Sequence, residues 1–148
     1  MEVLHARGAQ YQRVTRALIL YLMTLLHRNT GSRSAPAQDI DRMPHLQRVR
    51  EALTFISSRY TDRIEISELA DLCNMSIPNF RRIFHKATGR NPLEYLMHLR
   101  LTMACLELKS TGKSAEAIAA DTGFPTFSCF LRKFKTVYGT TPHKWRKQ

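Results

Sequence analysis

A repeat constrains the fold of this chain more than any other feature of its sequence. Aromatic, arginine, glycine and proline positions recur after 50 residues: Phe80, Arg82, Phe84, Gly89 and Pro92 return as Phe130, Arg132, Phe134, Gly139 and Pro142. The same interval pairs Ala70-Asp71 with Ala120-Asp121, and Tyr95 with Trp145. A fixed interval of this length usually marks one supersecondary unit used twice. The sequence therefore predicts two copies of one small folding unit.

Positive charge is concentrated in the same two copies. The 148 residues include 23 Lys and Arg against 12 Asp and Glu, which gives a net charge of +11 and a pI near 10.1. Residues 77–90 contain Lys and Arg but no acid, and no acid follows Asp121. Because an excess of this size attracts polyanions, the pattern favours a polyanionic partner.

Several protein classes are disfavoured by the sequence. Cys73, Cys105 and Cys129 are isolated and odd in number, which fits a reducing cytosol better than a disulfide framework or a zinc site. We expect no secretory signal, and the apolar run at residues 17–26 is too short to span a bilayer. The protein is therefore expected to be cytoplasmic, with no membrane partner, metal or cofactor.

The N-terminal third is predicted to stand apart from the repeat. Residues 11–28 read as a helix that is apolar on more than one side, within an N-terminal segment at 1–28. This helix either pairs with a second copy of the chain or is the tail of a domain upstream; alternatively, it packs on its own chain. Residues 29–43 read as a linker, and Pro44 is placed to start a helix that runs to about residue 59.

The repeated region reads as helices throughout. No stretch of residues 44–148 alternates like a strand, so the fold class is predicted to be all-α. The expected helix boundaries are Ser67 and Cys73; Ser76 and Gly89; Asn91-Pro92 and Lys109; Ser114 and Asp121; Thr126 and Gly139; and a last short helix from Thr141-Pro142.

Each copy has the layout of a helix-turn-helix. A short alanine-containing helix is followed by a connection of about four residues and a second helix, which in this motif lies in the major groove of DNA. The units are predicted at about 67–89 and 114–139, with a linking helix at 92–109. Its 18 residues give about 27 Å, which is commensurate with the roughly 34 Å between equivalent groove faces. One chain is thus expected to read an asymmetric site.

The second helix of the first unit separates into two faces. Phe80, Ile83, Phe84 and Ala87 form a core stripe, and the other face holds the candidate base contacts: Pro78, Arg81, Arg82 and His85. An arginine on guanine O6 and N7 contributes about 1–3 kcal/mol of base discrimination.

The matching helix of the second unit is less polar. Phe130, Phe134 and Val137 are expected in the core, with Ser128, Leu131, Arg132 and Lys135 outside. Phe127 and Leu131 either contact a thymine methyl or pack, so weaker discrimination is expected here.

These residues resemble a known family. Residues 123–146, GFPTFSCFLRKFKTVYGTTPHKWR, are similar to the C-terminal signature of bacterial AraC/XylS-type transcription regulators, and IEISELADLCNMSIPNFRRIFHKATGRNPLEYL resembles their first helix-turn-helix. The resemblance covers residues 44–148. The resemblance implies an activator that places two units in successive major grooves and has RNA polymerase as a partner. It implies base contacts from Pro78, Arg81 and Arg82 in the first unit, and from Phe127, Ser128 and Arg132 in the second. It also implies an upstream sensing and dimerising domain, of which the helix at 11–28 would be the final piece. The sequence departs from the family pattern at Pro78, Phe127, Cys129 and Leu131, so no familiar operator is assumed.

The leading hypothesis is a sequence-specific regulator that binds double-stranded DNA and is not an enzyme. Arg81, Arg82 and Arg132 are expected to supply most of the specificity. The candidate phosphate contacts are Ser76, Lys86, Arg90, Lys113, Thr126, Lys135, Thr141, His143, Lys144 and Arg146. The two alternatives are a non-specific architectural nucleic-acid binder and a nucleic-acid enzyme that uses Cys129.

Overall fold

The structure, a computed structural model, describes residues 37–147, and the predicted N-terminal helix at 11–28 lies outside the described residues. Every regular element within 37–147 is an α-helix, so the all-α prediction is confirmed there. In chain order the helices are α1 (Ala37–Arg48), α2 (Arg50–Ser58), α3 (Ile66–Leu72), α4 (Ile77–Thr88), α5 (Pro92–Ser110), α6 (Ala115–Asp121), α7 (Phe127–Tyr138) and α8 (Pro142–Lys147). From Asp41 onward the described residues form one compact unit, which contains every helix from α2 to α8.

The first described helix differs from the prediction at both ends. Pro44 lies inside α1 instead of starting it, so the predicted helix start is wrong. Residues 37–43 contain no Gly or Pro, so the helix extends back through part of the predicted linker, although Pro44 removes one hydrogen bond from its ladder. The helix is also interrupted at Val49, whose amide is shared between the carbonyls of His45 and Leu46 at 3.2 and 3.3 Å.

Capping residues explain most of the helix ends. The second helices of the two helix-turn-helix units, α4 and α7, are called the recognition helices below. Gly89 and Gly139 adopt left-handed φ angles of 74° and 69° and end α4 and α7 as predicted. Asn91 begins α5 with a capping box: its side chain accepts from the Glu94 amide at 2.9 Å, and the Glu94 carboxylate accepts from the Asn91 amide at 3.3 Å. The predicted cap at Ser67 is wrong, since α3 begins at Ile66 with Glu65 in the cap position.

Removing the Asn91 cap should destabilise the fold measurably. We expect Asn91→Ala to lower the free energy of unfolding by about 1 kcal/mol, because the Glu94 amide loses its acceptor. Ser76→Ala is the matched control, since Ser76 occupies the cap position of α4 without a side-chain cap hydrogen bond. Urea titration followed by circular dichroism compares the two. Equal losses would contradict the capping argument.

One long helix supplies side chains to both hydrophobic cores. The first core joins the predicted stripe of α4, all of it at most 6% exposed, to Leu96 and Leu99 of α5. The second joins Phe130 and Phe134 to Leu101, Ala104 and Leu108 of the same helix. The contributions overlap along α5, since Met97 already packs against the second core and Met103 still packs against the first. The two helix-turn-helix units therefore share α5 as a single central element.

In each unit an aromatic residue of the helix that follows the recognition helix packs against the core, as the repeat predicts, with one correction. Tyr95 packs edge-on against Phe84 at 5.5 Å, and Trp145 packs against Phe134 at 6.0 Å. Val137, predicted in the core, is 47% exposed. Tyr138 takes that place because its ring fills the space between Phe134, at 4.8 Å, and Trp145, at 4.9 Å.

The two copies are not offset by 50 residues throughout. The 7-residue helices α3 and α6 begin at Ile66 and Ala115, an offset of 49, whereas α4 and α7 begin 50 residues apart. In the turns, Met75 donates to the Ala70 carbonyl as Phe124 donates to that of Ala119, both at 3.0 Å. The pairing of Ala70 with Ala120 is therefore wrong, because the second turn contains one residue more and shifts the register.

Candidate nucleic-acid interface

The outer face of α4 is open to solvent along its whole length. Pro78, Arg81, Arg82 and His85 are all exposed, while the opposite stripe of the same helix is buried. The Gly89 cap and the packing of Phe80 and Phe84 hold this helix in place, so the outer side chains are presented from a rigid support. The structure therefore groups the four predicted base contacts of the first unit on one exposed surface.

One of these arginines is held by its own helix. The Arg82 guanidinium donates to the Asn79 side-chain oxygen at 2.8 Å, one turn earlier. This bond leaves most of the five guanidinium N–H groups free, and it restricts the rotamers of a long side chain before any ligand binds. The contact of Asn79 with Arg82 was not predicted from the sequence; the i, i+3 spacing of the two residues was the available signal.

The outer face of α7 is mixed in character. Ser128, Arg132 and Lys135 are exposed, and Leu131 is 36% exposed. Phe127 is only half-buried, and its ring stacks on Phe130 with centroids 6.1 Å apart. Phe127 thus packs against the second core with one side and leaves part of its surface at the helix start for a ligand.

Both helices keep their positive charge uncompensated. Among residues 43–147, whose side chains the structure describes, ion pairs involve only Arg59, Arg63 and Lys113 of the basic residues, and none of these lies on α4 or α7. Exposed cations without acidic neighbours keep their full attraction for an anion. The two helices therefore carry the positive surface that a phosphate backbone requires.

Among the predicted phosphate contacts, the charged groups of two basic side chains, Lys113 and Arg146, have partners inside the protein. Lys113 lies 2.6 Å from Asp121 and 3.4 Å from Glu107, and these carboxylates, Asp121 first, raise the pKa of its amine. Arg146 donates to the backbone carbonyls of Leu108, at 3.1 Å, and Lys113, so it caps the C-terminal end of α5. A phosphate would have to compete with these partners.

The remaining phosphate candidates lie at the surface. Arg90 is half-buried, and the others are exposed: Ser76, Lys86, Thr126, Lys135, Thr141, His143 and Lys144. The Thr126 hydroxyl accepts from the Cys129 amide at 3.1 Å, which anchors the start of α7. The hydroxyl hydrogen stays available to donate to a phosphate oxygen.

Metal sites, reactive cysteines and membrane spans are the features that would indicate other functions in the part of the chain that the structure describes. Between residues 37 and 147 no group of three or more His, Cys, Asp or Glu side chains is arranged to hold a metal. Burial raises the pKa of the Cys73 and Cys105 thiols, which disfavours the reactive thiolate. In the same part of the chain, no helix is both long and apolar enough to cross a membrane.

Known proteins share this architecture. A family profile described as a helix-turn-helix domain matches residues 69–148. A transcriptional regulator from Chromobacterium violaceum, described as containing an AraC-type DNA-binding domain, superposes with a TM-score of 0.64 at 24% identity, over 69% of this chain and 91% of that one. The chain carries an AraC/XylS-type DNA-binding domain.

Two relatives of this AraC/XylS-type domain are longer proteins. An uncharacterized HTH-type transcriptional regulator of Haemophilus influenzae is 35% identical over 101 residues, which are 68% of this chain and 34% of the relative. The bifunctional transcriptional activator/DNA repair enzyme AdaA of Bacillus subtilis is 29% identical over 107 residues, 72% of this chain and 51% of AdaA. The chain thus spans between a third and a half of the length of these relatives.

Proposed function

We propose that this AraC/XylS-type domain binds an asymmetric double-stranded DNA site sequence-specifically, with α4 and α7 in successive major grooves, and that it activates transcription. The observation that carries the proposal is the exposure of Arg81 and Arg82 on α4 and of Arg132 on α7, without acidic partners in the described residues. An arginine recognises guanine with two hydrogen bonds, and an exposed arginine without an acidic partner is free to form both.

The length of the linking helix supports the engagement of two grooves by one chain. Its 19 residues extend about 28 Å at 1.5 Å per residue. One turn of DNA is about 34 Å long, so two rigidly connected units favour modest bending of the duplex. Because the two outer faces differ in sequence, the half-sites should differ as well.

The remaining roles are proposed on the family resemblance. RNA polymerase contact, a cytoplasmic location and the absence of enzymatic activity belong to this proposal; a fully active Cys129→Ser variant would support the last. Dimerisation through residues 11–28 also stays a prediction, since that segment lies outside the described residues.

Selection of bound sites from random duplex DNA tests the proposal, followed by gel shifts on the selected site. We expect Arg82→Ala to weaken binding by about 1–3 kcal/mol and to relax selectivity at one base pair, because the bidentate contact is lost. The control is Arg50→Ala, which removes an exposed arginine of α2, outside both recognition helices. Equal affinity for all duplexes would instead favour the non-specific architectural binder.

A further inference from the structure

A short loop of the first unit is held by a buried arginine of the linking helix. Arg100, in the middle of α5, is only 7% exposed. Its Nε donates to the Tyr60 carbonyl at 2.6 Å, and its Nη2 donates to the Asp62 carbonyl at 2.7 Å. Arg100 lies between Leu99, a member of the first core, and Leu101, a member of the second. The contact therefore sits at the junction of the two units.

The two hydrogen bonds require an arginine at position 100. A buried guanidinium is costly unless its donors are satisfied, and two charge-assisted hydrogen bonds to carbonyls 38 and 40 residues away supply that compensation. Asp62 adds a favourable charge, although desolvation still lowers the pKa of Arg100. A lysine keeps the charge but has no planar fork to hold two carbonyls at once.

The other side of the same loop touches the turn of the second unit. Gly123 lies between α6 and α7 with a φ of +85°, and a Cβ added there would stand 2.5 Å from the Thr61 carbonyl oxygen and 2.8 Å from the Thr61 Cα. The matching position of the first turn, 49 residues earlier, is Asn74, which has a φ of 53° and carries its side chain at the exposed surface. Glycine is therefore required at this position only in the second turn, because only there does the backbone of another segment approach so closely.

We propose that Arg100 and Gly123 are positioning residues that fix the distance and rotational phase between the two recognition helices, and hence the half-site spacing that the protein accepts. The inference rests on the proposed function. Residues 60–62 are held by two hydrogen bonds from Arg100 on one side and pack closely against the Gly123 backbone on the other, so the two units meet at a second contact beside α5. With α5 alone, each unit is anchored to the other through one element only, whereas a second contact beside it opposes their relative rotation.

The phase matters because DNA is helical. Each base pair adds about 3.4 Å of rise and a rotation of roughly 34°, given 10–10.5 base pairs per turn. One base pair inserted between the half-sites therefore displaces the second groove in both distance and direction. A protein whose two recognition helices are fixed relative to each other therefore binds the altered site more weakly. A protein whose units can rotate relative to each other loses less affinity.

Binding to a spacing series tests the inference. Gel shifts would use the selected site and versions with one base pair inserted or deleted between the half-sites. We expect the unaltered protein to bind both altered sites at least 10-fold more weakly, and Arg100→Lys and Gly123→Ala each to reduce this penalty to about 3-fold or less. The matched control is Asn74→Ala, which places an unfavourable residue at the corresponding φ without touching the loop and should keep the full penalty. Circular dichroism confirms folding of each variant.

The outcomes separate the inference from the proposed function. Variants that bind every spacing more weakly but keep the full penalty would show that Arg100 and Gly123 only stabilise the fold, and would overturn the inference. An unaltered protein that prefers one sequence but tolerates both spacings would also overturn it, while leaving sequence-specific binding intact. Indifference of the unaltered protein to DNA sequence would defeat the proposed function itself.

Discussion

Phe134→Ala should lower the free energy of unfolding by about 3–5 kcal/mol, the largest stability loss expected from a single substitution in the second unit. The Phe134 side chain is fully buried, and its ring lies 5.4 Å from Phe130, 4.8 Å from Tyr138 and 6.0 Å from Trp145. Its removal leaves a cavity among large aromatic rings, which relax little. Because a domain of this size typically has only about 5–15 kcal/mol of stability, much of the second unit should unfold under mild conditions.

Urea unfolding followed by circular dichroism measures this loss. Leu131→Ala is the matched control, since Leu131 lies one turn earlier on the outer face of α7 and is 36% exposed. That substitution should change stability by about 0.5 kcal/mol or less. A loss below about 1 kcal/mol for Phe134→Ala would mean that the aromatic cluster does not form the core of the second unit.

The affinity for DNA should fall about 100-fold or more when salt rises from 50 to 200 mM. Four of the predicted phosphate contacts are Lys or Arg residues without an ion-pair partner in the described residues: Lys86, Arg90, Lys135 and Lys144. Each releases about 0.9 counterions on binding, so four contacts give a slope near −3.6 in log affinity against log salt. Lys113 and Arg146 would steepen the slope to about −5 if a phosphate displaced their internal partners.

Binding titrations at several salt concentrations yield this slope. Lys135→Gln should make it shallower by about 0.9, because one phosphate contact is lost, whereas Arg50→Gln, outside the recognition helices, should leave it unchanged. A slope near −1 for the unaltered protein would contradict a binding surface built from both helices. The measurement also decides whether Lys113 and Arg146 contact phosphate, since each adds the same increment.

The core of each recognition helix was readable from the sequence because it depends on local periodicity. Phe80, Ile83, Phe84 and Ala87 recur with the spacing of one helix face, and all four are buried. The prediction failed at Val137, where periodicity alone favours the core. The ring of Tyr138, one position later, packs against Trp145 of α8, and this contact between two helices places Tyr138 in the core in the position predicted for Val137.

The register of the repeat was only partly readable. Paired letters at a constant interval of 50 residues suggested that Ala70 matches Ala120, yet Ala70 and Ala119 are the buried pair. A turn that is one residue longer does not disturb the helix pattern on either side, so the sequence gives no local signal for the shift. The backbone hydrogen bonds of the two turns reveal it.

The sequence by itself determined the all-α class, the two helix-turn-helix units and the charged faces of α4 and α7, because helical period, capping residues and charge are properties of neighbouring positions. Tertiary structure alone decided that Arg100 holds the loop at Tyr60 and Asp62, and that Gly123 meets the Thr61 backbone. These contacts join residues about 40 to 60 positions apart. No pattern of neighbouring residues encodes such a distance, since it is set by how two packed cores meet on one helix.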